Sequence, residues 1–137
     1  MTKIKHGPLT TAPAPPTHLH EDARAVWREV TLYLAERGVL HSGDLSTIEA
    51  YARAAARLRR LEDILDAEGL FTDNGRAHPG ITSANTTAAT VSKLGGNLGL
   101  APVSRARLAV SVQKGSDKPD AHATEWENVL GFKGKKR

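Results

Sequence analysis

Cysteine is absent from the 137 residues. Disulfides, thiolate metal sites, iron–sulfur clusters and cysteine nucleophiles are therefore excluded, and a cytoplasmic setting is expected. Aromatic residues make up only 4% of the chain, two each of Trp, Tyr and Phe. Any core has to come mainly from Leu, Val, Ile and Ala. No run of about eighteen apolar residues occurs, which excludes a membrane-spanning helix. Met1-Thr2-Lys3-Ile4-Lys5-His6 leads into Pro and Thr with no apolar stretch, so no secretory signal is expected.

The usual signatures of catalysis are also missing. Gly134-Lys135 lacks the upstream glycine and the following Ser or Thr of a phosphate loop. Gly95-Gly96-Asn97-Leu98-Gly99 follows a helical pattern rather than a strand, so it is no dinucleotide fingerprint. No Gly-x-Ser-x-Gly elbow occurs. The acids Glu62, Asp63, Asp66 and Glu68 sit in an arginine-rich helical stretch, where intrahelical ion pairing accounts for them. His18-x-His20-Glu21 is the one metal-like cluster, and it has no third ligand at a distance. The chain is read as a non-enzyme with no catalytic residue, no metal and no cofactor.

What the chain does have is an uneven basic charge. The formal net charge is +4, from 19 basic and 15 acidic residues. Residues 19–69 carry seven arginines against ten acids, whereas residues 70–114 carry five bases against Asp73 alone. Such asymmetry suggests a polyanionic partner, most often nucleic acid. A mildly basic solvated surface would look the same.

The chain divides into a Pro-rich stretch, a helical middle and a basic end. Residues 1–17, with Pro8, Pro13, Pro15 and Pro16, read as a disordered tail that cannot form a core. Residues 18–113 read as a helical core, and 114–137 as a flexible basic tail. Within the core, Leu19, Ala23, Val26, Trp27, Val30 and Leu34 recur at helical spacing over about 19–37. Gly38 is a stop signal. Ser42 or Asp44 can cap a second helix running to about Glu68, closed by Gly69. Its apolar stripe is Leu45, Ile48, Ala52, Ala55, Leu58, Leu61 and Leu65. The short connector makes the two an antiparallel hairpin.

Asp73-Asn74-Gly75 is a turn signal, and Arg76 to Gly80 is expected to stay irregular because His78 precedes Pro. A third helix is expected from Thr82 or Ser83 to about Leu98, with Ala84, Ala88, Val91, Leu94 and Leu98 inward and Asn85, Thr86, Thr87, Thr90 and Lys93 outward. Pro102 suits the first position of a short fourth helix. The fold class is therefore all-α: a long antiparallel hairpin plus one or two shorter helices, with tails.

Two arginine groups stand out. Arg53, Arg57 and Arg60 share one face of the second helix, where Glu49 and Asp63 can pair with part of the row, so a solvated ion-paired face is the simpler explanation. Arg105 and Arg107 follow Pro102, with Lys114 beyond, in a stretch that is purely positive from Arg76 through Lys93 to Lys114. Arg105, Arg107, Lys114, Arg76 and Lys93 are the expected contacts to an anionic backbone. Contacts from the same arginines to neighbouring helices or subunits are the competing explanation.

The order of these features resembles a known family. Leu19 and Trp27, Gly38-Val39-Leu40 then Asp44, Tyr51, Gly69 and His78-Pro79 resemble the small terminase subunits of tailed bacteriophages. The sharpest likeness is Leu94, then Leu98-Gly99-Leu100-Ala101-Pro102-Val103-Ser104-Arg105-Ala106-Arg107-Leu108. It is similar to that family's Leu-Gly-Leu-x-Pro-x-Ser-Arg-x-Arg-Leu. The likeness spans roughly residues 15–110 and departs from the family at Gly95-Gly96 and in the threonine-rich 82–90.

That resemblance implies a non-enzymatic protein that forms a ring of many copies. It implies recognition of the packaging site on double-stranded viral DNA in the host cytoplasm. It also implies recruitment and regulation of the large subunit, which carries the ATPase and nuclease. The long helix fits such assembly, because its stripe has little partner surface in one chain, and exposed stripes mark interfaces. Trp126, Leu130 and Phe132 in the basic end suit a peptide that docks on the large subunit. Two alternatives remain at this stage. One is a helix-turn-helix-like transcription regulator turning at Gly99 to Pro102, and the other an adaptor that binds no DNA.

Overall fold

The computed structural model describes residues 7–107. Three helices make up the first of two compact units, which ends at Leu100: α1 (Glu21–Glu36), α2 (Leu45–Glu68) and α3 (Pro79–Asn97). A single 3-10 turn, Ser42–Asp44, joins α1 to α2. Among the described residues there is no strand, only an isolated antiparallel bridge between Phe71 and Ala77. The architecture is all-α.

The apolar spacing of α1 does what it predicts. Leu19, Ala23, Val26, Trp27, Val30 and Leu34 are buried in one cluster with Leu40, Ile48, Ala52 and Ala56. Each large aliphatic side chain removed from water contributes about 1.5–3 kcal/mol. Thr31 is fully buried within α1 and gives its hydroxyl proton to the Trp27 carbonyl at 2.8 Å, which removes the penalty of an unpaired polar group. The helix ends in a Schellman motif. Gly38, at φ 67°, donates to Ala35 O, and Val39 donates to Leu34 O.

At 24 residues, α2 is the longest element and packs against both α1 and α3. Its small side chains allow this. Ala52 and Ala56 join the cluster with α1, while Ala54, across the helix, is buried as well. Neither Ser42 nor Asp44 caps α2 through its side chain. The Asp44 carboxylate instead accepts from the His41 N–H at 3.0 Å and closes the 3-10 turn.

Two sequence expectations are corrected here. The third helix starts at Pro79, not at Thr82 or Ser83. His78 is indeed extended, at φ −63° and ψ 132°, as a residue before proline should be. However, Pro79 then occupies the first helical position, where its missing N–H is no loss. His78 caps the helix: Nδ1 accepts from Gly80 N–H at 2.9 Å, and Nε2–H donates to Glu68 at 2.9 Å. The buried face of α3 also differs from the expected one. Thr87 is buried and Ala88 exposed, the reverse of the expected assignment.

The second correction concerns the Pro-rich stretch. Residues 8–17 lie along the hairpin rather than apart from it. Leu9 packs on the core cluster and its N–H donates to Leu40 O at 2.6 Å. The Trp27 indole N–H donates to Pro13 O at 3.0 Å, and Arg24 donates to the Thr17 carbonyl. Prolines donate nothing, but their carbonyls accept, and a buried indole N–H needs an acceptor.

α3 closes with a second Schellman motif. Gly99, at φ 71°, donates to Gly96 O at 3.1 Å, and Leu100 donates to Gly95 O at 2.9 Å. Leu98 and Leu100 then pack on the core cluster. Gly95 has a packing reason: a Cβ there would come within 3.3 Å of the Tyr51 ring, so glycine lets α3 approach α2. In the second unit, residues 102–107 are helical, and Arg105 N–H donates to Ala101 O at 3.0 Å.

Candidate nucleic-acid interface

The arginine row of α2 lines a groove of about 220 Å³ with His18, Leu19, His20 and Ala23 from the entry to α1. Its outer members are paired. Arg60 Nε lies 2.8 Å from Asp22, and Arg53 lies 3.2 Å from Glu49. Glu49 also receives His18 Nε2–H at 2.7 Å. The His18 hydrogen bond, aided by the charge of Arg53, holds the Glu49 carboxyl below its ordinary value. Arg28, with Arg24 beside it, does the same for Glu21 on α1. The middle arginine, Arg57, is exposed and has no ion-pair partner among the described residues. The Asp63 pairing expected from sequence is not formed, because Asp22 of α1 reaches Arg60 first.

On its other side Arg57 borders a second groove, of about 420 Å³, shared with Leu61, Thr82, Ser83, Thr86 and Thr87. Thr82, Ser83 and Thr86 face solvent. No acid occurs anywhere in α3. Arg57 thus stands where an arginine groove and a hydroxyl groove meet. Helical spacing alone could align the arginines, but it could not show that α3 packs its hydroxyl face beside them.

The expected DNA contacts are distributed over both units. Lys93 is exposed on α3. Arg76 is exposed in the turn after α2, where its carbonyl accepts from Thr72 N–H at 2.8 Å. Arg105 is half-buried and Arg107 exposed in the helical residues 102–107 of the second unit. Lys114 lies outside the described residues, as do Trp126, Leu130 and Phe132. His18 of the metal-like cluster is hydrogen-bonded to Glu49, and among the described residues no three ligand-type side chains converge.

The expected oligomerisation stripe divides in two. Ile48, Ala52 and Leu65 are buried within the chain, whereas Leu45, Ala55, Leu58 and Leu61 are half-buried. Larger apolar exposure occurs elsewhere, at Phe71 (68%), Leu70 (57%), Leu32 (53%) and Val39 (47%). Among the described residues no helix is long and apolar enough to cross a membrane.

A sequence model of the family described as "Phage terminase, small subunit" matches residues 23–115. That span takes in α1 from Ala23 onward, α2, α3 and the helical residues 102–107. No curated protein and no solved structure matches the chain.

Proposed function

This chain belongs to the small-subunit family of phage terminases and so has a role in phage DNA packaging. On that premise we propose that it recognises the packaging site on double-stranded viral DNA in the host cytoplasm. It does so as a ring homo-oligomer and recruits and regulates the large terminase subunit. The observation that supports DNA recognition is the complete lack of acids from Asn74 to Arg107, a stretch that holds Arg76, Lys93, Arg105 and Arg107. Within a family devoted to packaging, such a stretch is suited to a phosphate backbone.

Binding of the full chain to duplex DNA, followed by fluorescence anisotropy across a salt series, tests this reading. Affinity should fall steeply with salt, because each neutralised phosphate releases counterions. Arg105→Ala with Arg107→Ala should weaken binding and lower the log–log salt slope by about 2, near 0.9 per lost contact. Wild-type slope and affinity in that double variant would make these arginines structural.

The basic end carries the recruitment half of the proposal. Trp126, Leu130 and Phe132, flanked by charges, form a short peptide of the kind that orders on a partner. Removing residues 115–137 should leave oligomer mass unchanged and abolish stimulation of the large subunit's ATPase. Normal stimulation by the truncated chain would assign recruitment to another surface.

A further inference from the structure

We propose that the α2–α3 face centred on Arg57 is a second contact site for the phosphate backbone of duplex DNA. This inference rests on the DNA-recognition reading above and assigns that reading a surface in the first unit.

Arg53 and Arg60 are matched by Glu49 and Asp22, at 3.2 and 2.8 Å. Arg57 lies between them, exposed and without an ion-pair partner among the described residues. A row that served only to solvate the helix would gain most from matching its central charge as well. The pairs on either side instead hold Arg53 within α2 and tie Arg60 to α1, and leave Arg57 as the uncompensated member of the row.

The chemistry beside Arg57 also suits an anion. The groove that Arg57 shares with α3 is lined by Thr82, Ser83 and Thr86, whose hydroxyls have no protein partner among the described residues. Thr90 differs, since its hydroxyl donates to the Thr86 carbonyl at 3.1 Å. Lys93 follows Thr82 and Thr86 on the same helical face, at steps of four and seven. Guanidinium, ammonium and hydroxyl groups are all donors to phosphate oxygens. α3 contributes no carboxylate that would repel an anion.

Helix propensity points the same way. An exposed helix face without a ligand is best filled by Lys, Glu, Gln or Ala. Thr and Ser are weaker helix formers, because they lose rotamer freedom or compete for backbone bonds. Placing Thr82, Ser83 and Thr86 in a row on the exposed side of α3 opposes local stability. Phosphate contact supplies the reason that stability does not.

The test uses the full chain and duplex DNA, with affinity measured across salt for wild type, Arg57→Gln, Arg57→Lys and the pair Thr82→Val with Thr86→Val. Arg57→Gln should bind roughly tenfold more weakly at low salt, with a slope smaller by about 0.9. Arg57→Lys should restore the slope, which separates a lost charge contact from a lost fold. The valine pair should bind roughly fivefold more weakly with the slope unchanged, since hydroxyls release no counterion. Arg57→Gln with wild-type affinity and slope overturns this site while leaving DNA recognition intact. Failure of the wild-type chain to bind duplex even at low salt overturns both.

Discussion

Replacing Trp27 with alanine is expected to lower folding stability by about 3–5 kcal/mol, the range for removing a large buried aromatic. Trp27 is only 3% exposed and sits in the α1–α2 cluster with Val26, Val30, Ile48 and Ala52. The chain has two tryptophans and six aromatics in all, so no neighbouring ring can take up the volume. The same substitution removes the indole N–H that holds Pro13 O at 3.0 Å. Residues 8–17 then keep the Leu9–Leu40 and Arg24–Thr17 bonds without their central tie. A small domain has only about 5–15 kcal/mol in total, so a loss of this size takes a large share of the stability of the fold. Trp27→Phe keeps most of the apolar volume and should cost only about 1–2 kcal/mol, near the value of one hydrogen bond plus a small cavity. Denaturant unfolding followed by circular dichroism reads both. A loss below about 1 kcal/mol for alanine would mean that the cluster is not the centre of the fold.

The helices of the hairpin were legible because their signals agree at every level. The 3.6-residue apolar period, the glycines at 38 and 69 and the short connector all indicate the same two helices, and both glycines take positive φ. The start of α3 was not legible, because a single local rule pointed two ways. Proline restricts His78 to an extended conformation, which read as a break, but it also pre-sets φ for the helix that begins at Pro79. The cap that settles the matter depends on the His78 ring reaching both Gly80 and Glu68, a tertiary arrangement.

The role of residues 8–17 was hidden for a related reason. Composition shows that a proline-rich segment cannot build a core of its own. It does not show that a tryptophan 14 residues later needs a carbonyl acceptor. At the candidate site, charge counting found the acid-free stretch and helical spacing found the arginine row. The meeting of Arg57 with the α3 hydroxyls depends on how α2 and α3 pack, and pair spacing carries no information about that.

Leu58→Asp is expected to have the largest effect on assembly, taking the oligomer to monomers while leaving the helices in place. Leu58 differs from its neighbours in the stripe. Ile48 and Ala52 are fully buried within one chain, so a charge at either would unfold the protomer itself. Leu58 is half-buried, and so are Leu45, Ala55 and Leu61. In a single protomer the introduced carboxylate could reach water at modest cost. Between two protomers it would be desolvated without a partner, at a cost of several kcal/mol per contact. A ring built by head-to-tail contacts repeats the same interface at every junction, so one substitution weakens all of them at once. Native mass spectrometry of the wild type should therefore give a species larger than a tetramer. The variant should give monomer mass with an unchanged far-ultraviolet circular dichroism spectrum. A wild-type monomer or dimer at micromolar concentration would overturn the ring itself. An intact ring of the Leu58→Asp chain would move the interface to the other exposed apolar residues, with Phe71 and Leu70 after α2 and Leu32 and Val39 near the end of α1 as the next surfaces to charge.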